Sequence, residues 1–183
     1  MNNKGYPQKL EIPKSLLSWV ITICVLIQLL IFITTNILTI AVISGNSMYP
    51  TLQNGDIILV DKTHTNVSRG DVVLAEISPN NNDSEYIVKR VIAIGGEDLT
   101  IDYTKNSIVI DGILFSEPYI NQEEVDPLVC KSGTVTENYI VSEGFVFIMG
   151  DNRNFSLDSR NEKIGSIPKD KIVGKVIYSH MQK

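Results

Sequence analysis

The first candidate for chemistry in this sequence is a serine in a turn that contains glycine and proline. Ser47 lies in the segment Ser44–Leu52, where Gly45 permits a tight backbone path and Pro50 fixes the chain just beyond the serine. A serine hydroxyl is a weak nucleophile until a neighbouring base takes its proton. Alone, the segment is only a turn with two serines, so a chemical role depends on a base elsewhere in the chain.

A lysine in the middle of an apolar strand is the candidate base. Lys89 and Arg90 interrupt the apolar run Tyr86–Ile94, and because side chains alternate along a strand, both faces are apolar around the charges. Burial lowers a lysine pKa from about 10.4 toward the value of about 7–8 that a base requires. Arginine stays protonated, so Lys89 is the better base and Arg90 the better structural residue. The alternative is a lysine on a sheet edge whose amine extends into solvent.

A dense polar run, Gly150–Arg160, directly follows the apolar run Phe145–Met149. A desolvated pair of serine and lysine needs surrounding hydrogen-bonding groups to hold its geometry. We expect Ser156 to form a hydrogen bond beside the lysine amine, and Asp158 and Arg160 to form a bidentate ion pair that fixes the loop. The alternative is a solvated turn with a surface ion pair, which would contribute little to stability.

An apolar run without charged residues, Leu16–Ile43, precedes these segments. It is longer than the roughly 20 residues that a helix needs to cross a bilayer, and we predict a transmembrane helix over Leu16–Asn36. Trp19 lies near the start, where an interfacial aromatic belongs, and the β-branched stretch Ile37–Ile43 predicts the start of a strand. A cleaved signal peptide and a buried core helix are the alternatives, and the length of the run disfavours both.

The flanking charges predict the orientation of this helix. Lys4, Lys9 and Lys14 precede it, with only Glu11 opposing them, and no lysine or arginine follows until Lys62. Because positive residues stay on the cytoplasmic side, the N-terminus is expected in the cytoplasm and the larger part of the chain outside.

Beyond residue 44 the sequence changes to short apolar runs separated by turn residues. The runs predicted as strands are Ile57–Val60, Asp71–Glu76, Tyr86–Ile94, Ser107–Ile110, Ile113–Phe115, Phe145–Met149 and Ile172–Tyr178. Asp111-Gly112 is a two-residue hairpin signal, with Asn54-Gly55 and Gly95-Gly96 as further turns. Helical periodicity is lacking here, and Asn80–Ser84 and Asn121–Asn138 have the composition of surface loops.

The predicted fold is therefore mostly β, a compact antiparallel β-sheet domain preceded by one N-terminal helix. We expect residues 1–15 to form a cytoplasmic segment, residues 16–36 the transmembrane helix, and residues 37–183 one extracytoplasmic domain that acts as a monomer.

Composition argues against several classes of function. With 16 Lys and Arg against 21 Asp and Glu, the net charge of -5 argues against a nucleic-acid-binding protein. Cys24 and Cys130 lie in such different surroundings that we expect no disulfide between them. The chain has only two histidines, His64 and His180, and it lacks a Cys/His cluster, so we expect no metal site, no cofactor and no triad built on histidine.

Taken together, the three polar segments resemble those of bacterial type I signal peptidases (leader peptidases, peptidase family S26). Gly45–Leu52 matches the pattern Gly-x-Ser-Met-x-Pro-Thr-Leu. Lys89–Val91, followed by the glycine turn Gly95–Glu97, resembles the second pattern of the family, and Gly150–Arg160 matches Gly-Asp-Asn-Arg-x-x-Ser-x-Asp-Ser-Arg throughout. The order of the segments and the preceding apolar span also agree, so the resemblance covers nearly the whole chain.

The resemblance implies a β-rich serine endopeptidase domain on the outer face of the membrane, which removes signal peptides from secretory preproteins. Its substrates carry small residues, typically alanine, at the first and third positions before the cut. By this resemblance Ser47 is the nucleophile and Lys89 the general base. The residues that support the site are Ser156, Asp158, Arg160, Gly45 and Met48.

Two features favour particular branches of this family. The eukaryotic branch has histidine where this chain carries Lys89, so the bacterial type fits better, and the chain has little room for the large extra β domain of some Gram-negative members, so the compact Gram-positive type is the closer match. Gly45 stands where some members have a serine that helps bind the oxyanion, so we expect backbone amides to do this, beginning with that of Ser47. The second donor stays open, since Ser44 is one place further away.

Two other functions remain to be weighed. A soluble, self-cleaving Ser-Lys protease of the repressor type is disfavoured by the apolar span. A catalytically inactive, membrane-anchored β domain that only binds partners is disfavoured by the presence of Ser47, Lys89 and the complete third segment.

Overall fold

The computed structural model describes residues 13–63, 66–78, 84–120 and 136–180. The chain divides into two compact units, residues 1–37 and residues 38–183.

Among its described residues, from position 13 onward, the first unit contains one helix, α1, over Lys14–Asn36, which confirms the predicted helix and begins slightly before it. It is long and apolar enough to cross a membrane. Some of its polar side chains bond to the helix itself: the hydroxyls of Thr22 and Thr35 donate to the carbonyls of Ser18 and Ile31, at 3.0 and 2.7 Å. These bonds satisfy hydroxyls that would otherwise be costly in an apolar environment.

The second unit consists of two antiparallel sheets, which confirms the predicted fold class. Its strands are β1 (Leu38–Val42), β2 (Ile57–Asp61), β3 (Val72–Ile77), β4 (Glu85–Ile94), β5 (Asp98–Asp102), β6 (Ser107–Ile110), β7 (Ile113–Phe115), β8 (Thr136–Ile140), β9 (Phe145–Met149), β10 (Ile167–Pro168) and β11 (Ile172–His180). The larger sheet has the order β1-β2-β11-β3-β4-β9-β10, and the smaller has the order β7-β6-β5-β8. Two short 3-10 helices cover Arg153–Phe155 and Lys169–Lys171.

Strands β4 and β9 lie next to each other in the larger sheet and are buried on both faces. Val91 and Ile148 belong to one apolar cluster, whereas Ile92 and Phe147 belong to another, and all four side chains are fully buried. A strand buried on both faces is expected to be a nearly continuous apolar run, as these two are. The middle of β4 is therefore a place where a charged side chain loses its contact with water.

All of the predicted strands are present, with small shifts at some ends. The predicted hairpin is also confirmed, because Ile110 pairs with Ile113 and the intervening Asp111 and Gly112 have φ angles of 51° and 78°. Two positive φ angles in sequence are typical of the tight turn that joins twisted antiparallel strands.

One loop prediction was partly wrong. Residues 121–135 of the predicted loop Asn121–Asn138 lie outside the described residues, but Thr136–Asn138 begin β8. Thr136 and Asn138 on the exposed face of this strand are polar, so its apolar residues are limited to Tyr139, which packs inward, and the exposed Ile140. Strand β5 was missed because Asp98 and Asp102 at its ends resemble turn residues. For the loop predicted over Asn80–Ser84, residues 80–83 are also outside the described residues.

Candidate active site

Buried apolar side chains anchor the turn that carries Ser47. Met48 and Leu52 are 1% and 3% exposed and pack in the same cluster as Ile58 and Val60 of β2. Ser47 itself is half-buried. The turn thus exposes the serine on one side while its neighbours anchor it on the core of the larger sheet.

Gly45 is required by the backbone path of this turn. Its φ angle is 91°, in the left-handed region that side chains other than glycine rarely adopt. Its amide donates a hydrogen bond of 2.9 Å to Oδ1 of Asn54. The amide of Ser47, by contrast, has no acceptor within the described residues, which leaves it free to donate to another group.

Lys89, on β4, points its amine at this serine. The Nζ atom lies 2.6 Å from the hydroxyl oxygen of Ser47, and the lysine is only 3% exposed. Burial lowers the pKa of Lys89 to about 8; the carboxylates of Asp158 and Asp151 oppose this shift, and the charge of Arg160 adds to it. A neutral amine is therefore accessible near neutral pH, in contact with a hydroxyl.

A bidentate ion pair joins all three polar segments. Arg90 donates from Nε and Nη2 to Asp151, at 2.8 and 2.6 Å, and the Asp151 side chain has no exposed surface. The hydroxyl of Thr51, in the Ser47 turn, donates to the same carboxylate at 2.5 Å. Arg90 also donates to the carbonyl of Gly70 at 2.8 Å. The Ser47 turn, the Lys89 strand and the third segment thus share one carboxylate.

Residues Gly150 and Asn152 hold the Ser47 turn directly. Asn152 donates from its backbone amide to the carbonyl of Ser47 and from Nδ2 to the carbonyl of Asn46, both at 3.0 Å. A Cβ atom on Gly150 would overlap the carbonyl oxygen of Ser47 and the hydroxyl of Ser156. Only glycine at position 150 permits this approach of the two segments.

Asp158 and Arg160 form the expected bidentate pair, with Nε and Nη2 of Arg160 at 2.8 and 2.9 Å from the carboxylate. Asp158 also accepts from the Gly150 amide at 3.0 Å, and Arg160 donates to the carbonyl of Arg153 at 2.9 Å. Burial would raise the pKa of Asp158, but the hydrogen bonds and charge of Arg160, together with the hydrogen bond from the Gly150 amide, lower it below its usual value. The carboxylate is therefore charged at neutral pH.

Ser156 differs from its expected arrangement. Its hydroxyl oxygen is buried but forms no hydrogen bond of standard geometry within the described residues, and it lies against Gly150. The hydrogen bond of the Lys89 amine goes to Ser47 instead.

The comparisons with known proteins give one consistent result. The model of the family "Signal peptidase, peptidase S26" matches residues 16–181. The chain belongs to the signal peptidase family. It is 33% identical to Signal peptidase I S of Bacillus subtilis (strain 168) over 171 residues, which cover 88% of this chain and 86% of that protein. It is 33% identical to Signal peptidase IB of Staphylococcus aureus (strain N315) over 183 residues, 90% of this chain and 89% of that protein.

A crystal structure of a signal peptidase I from Enterococcus faecalis V583 is also similar, with 23% identity and a TM-score of 0.45 over 60% of this chain and 95% of that chain. Membership of the family makes this chain a peptidase, which hydrolyses peptide bonds.

Sequence reasoning singled out Ser47 and Lys89, whose side chains the structure brings together, but it missed several residues that hold them. Thr51, Asp151 and Asn152 were noticed only as members of motifs. Their signal was the density of hydrogen-bonding side chains beside an apolar strand, which indicates buried polar contacts but does not identify the partners.

Asp151→Asn should lower the free energy of unfolding of this peptidase by about 3–5 kcal/mol, because Arg90 would keep a buried charge without its counter-ion. Urea unfolding followed by circular dichroism measures this. Glu76→Gln is the matched control, since it removes a carboxylate from an exposed pair with Lys171 and should leave stability nearly unchanged. Equal stability of the Asp151 variant and the wild type would contradict the role of the shared carboxylate.

Proposed function

We propose that this chain is a type I signal peptidase that cleaves signal peptides from secretory preproteins with a Ser47–Lys89 dyad and without a cofactor. The observation that carries the proposal is the 2.6 Å separation of the Lys89 amine and the Ser47 hydroxyl, together with the burial of the lysine. Family membership supports the substrate class. As the family resemblance implies, the substrate residues just before the cleaved bond are small, since narrow pockets exclude larger side chains.

In the proposed reaction, neutral Lys89 takes the proton of Ser47 while the Ser47 oxygen attacks the scissile carbonyl. With a pKa of about 8 for Lys89, roughly half of the molecules carry a neutral amine at pH 8. The negative oxygen that develops on the carbonyl is stabilised by the free Ser47 amide and a second donor. Collapse of this intermediate breaks the C–N bond and forms an ester with Ser47.

Lys89 then completes the cycle. The protonated amine gives its proton to the leaving amino group, which departs as the new N-terminus of the mature protein. Neutral again, Lys89 removes a proton from a water molecule that attacks the ester, and returns it to the Ser47 oxygen as the ester bond breaks. The products are a signal peptide with a free carboxylate and the regenerated serine, so atoms and charges balance.

Helix α1 is proposed to tether the peptidase domain to the membrane, with residues 1–15 in the cytoplasm and residues 37–183 outside. The apolar composition of the helix and the lysines before it support this orientation. A signal peptide has an apolar segment of its own that is held in the bilayer. Confinement of enzyme and substrate to one surface raises the effective concentration of the cleavage site.

Ser47→Ala and Lys89→Ala should each reduce the processing rate of a secretory precursor by on the order of 10³-fold or more, because each removes a group that acts as a unit with the other. The assay follows the mature product by gel electrophoresis, with folding checked by circular dichroism. Ser107→Ala, on β6, and Lys105→Ala, whose side chain is 77% exposed, are matched controls that should process normally. Normal processing by either the Ser47 or the Lys89 variant would reject the dyad. If the protein only binds partners, neither the wild type nor any variant would process the precursor.

Deletion of residues 1–36 should reduce the rate of cleavage of membrane-embedded precursors by on the order of 10²-fold, because enzyme and substrate are no longer confined to one membrane and the effective concentration of the cleavage site falls. Cleavage of a short soluble peptide should change little, because residues 38–183 form a compact unit of their own. Both rates are compared with those of the full chain in vesicles. Equal losses on the two substrates would contradict the tether.

A further inference from the structure

A short segment after β7, residues 116–120, places two polar side chains in the interior beside the candidate site. Glu117 is 8% exposed and Tyr119 is half-buried. The amide of Ile120 donates to the carbonyl of Glu117 at 3.2 Å, which closes a turn around Pro118. A buried carboxylate outside the motifs requires an explanation, because carboxylates are rarely buried unless they are paired.

Glu117 pairs with Arg153 of the third segment. Nη1 of Arg153 lies 2.9 Å from Oε2, and Nη2 also donates to Oε1. Both side chains are at most 5% exposed. The remaining nitrogen, Nε of Arg153, donates to the carbonyl of Gly150 at 3.1 Å. Glu117 therefore fixes the guanidinium that holds Gly150, and Gly150 in turn packs against the carbonyl of Ser47.

Tyr119 reaches the other side of the site. Its ring lies 3.9 Å from the centre of the Arg90 guanidinium, a cation–π contact, and its hydroxyl donates to Glu117 at 2.8 Å. Arg90 follows Lys89 in β4 and binds Asp151 through two hydrogen bonds. Residues 116–120 thus contact two arginines. Arg90 is next to the proposed base, and Arg153 holds Gly150, which packs against the proposed nucleophile.

Neither side chain bonds to the reacting atoms, so any effect on catalysis must act through the arginines. The 2.6 Å distance between Lys89 and Ser47 joins two segments that are far apart in sequence. Displacement of either segment would lengthen this distance and admit water to the amine. Because a misplacement of about 1 Å can reduce a rate by on the order of 100-fold, a support at both ends has a direct catalytic consequence.

We propose that Glu117 and Tyr119 are positioning residues of the peptidase. By holding Arg153 and Arg90, they set the distance between Ser47 and Lys89 and keep water away from the Lys89 amine. The inference rests on the proposed function and assigns these two residues a part in it. Loss of either support should slow the chemical step rather than weaken the binding of substrate.

The test compares the full-length wild type with Tyr119→Leu, Tyr119→Phe and Glu117→Gln in detergent, on a short peptide that spans a precursor cleavage site. Tyr119→Leu should lower kcat by about 10- to 100-fold with KM nearly constant. Tyr119→Phe keeps the ring over Arg90 and should recover much of this loss. Glu76→Gln and Tyr86→Leu, at an exposed pair and an exposed ring, should behave as the wild type.

The pH profile separates positioning from a general loss of stability. Burial is the largest cause of the low pKa of Lys89, ahead of the charges of Asp158, Arg160 and Asp151. Water admitted to the site should therefore raise this pKa, so that the acid limb of the kcat profile moves to higher pH and Tyr119→Leu partly recovers there. A variant that is merely less stable would lose active molecules equally across the pH range in which it is folded.

The outcomes are distinguishable. An active wild type with unchanged kcat and pH profile in Tyr119→Leu and in folded Glu117→Gln would overturn the inference but leave the proposed function intact. If Glu117→Gln fails to fold because Arg153 loses its counter-ion, the tyrosine variants decide alone. An inactive wild type, or full activity in Ser47→Ala, would instead remove the proposed function itself.

Discussion

The structure depends on one costly arrangement, a lysine amine that is buried against a serine hydroxyl and forms no ion pair with a carboxylate of the described residues. The two carboxylates that act most strongly on Lys89, Asp158 and Asp151, are each bound by an arginine through two hydrogen bonds. Their charges are thus largely compensated, and the amine gains little from them. Burial outweighs these charges and lowers the pKa of Lys89 to about 8, so the amine can lose its proton near neutral pH.

The rest of the domain can be understood as support for this arrangement. Strand β4 carries Lys89 through a region that is apolar on both faces, and the adjacent β9 leads directly into the turn that contains Gly150 and Asn152. That turn binds the backbone of Ser47, and Met48 holds the same segment in the core. Each contact fixes atoms before a substrate arrives, which is how a site avoids reorganisation during the reaction.

Whether a feature could be predicted from the sequence depends on how far apart its interacting residues lie along the chain. The hairpin at Asp111 and the buried lysine at position 89 were predictable, because a tight turn and an alternating strand depend on neighbouring residues. The partners of Asp151 and Glu117 were not, because they lie on distant segments and no local pattern identifies them. Ser156 was expected to form a hydrogen bond beside the amine, but its buried hydroxyl lies against Gly150 without a hydrogen bond of standard geometry within the described residues.

The most direct test of this account is a measurement of the lysine pKa by NMR. The 13Cε signal of Lys89 is followed through a pH titration of the full chain in detergent micelles, with lysines labelled at Cε and the signal assigned by its loss in Lys89→Arg. Lys105, which is exposed, serves as the internal reference. A midpoint near 8 for Lys89 is the predicted result. A midpoint near that of an exposed lysine, about 10.4, would contradict it.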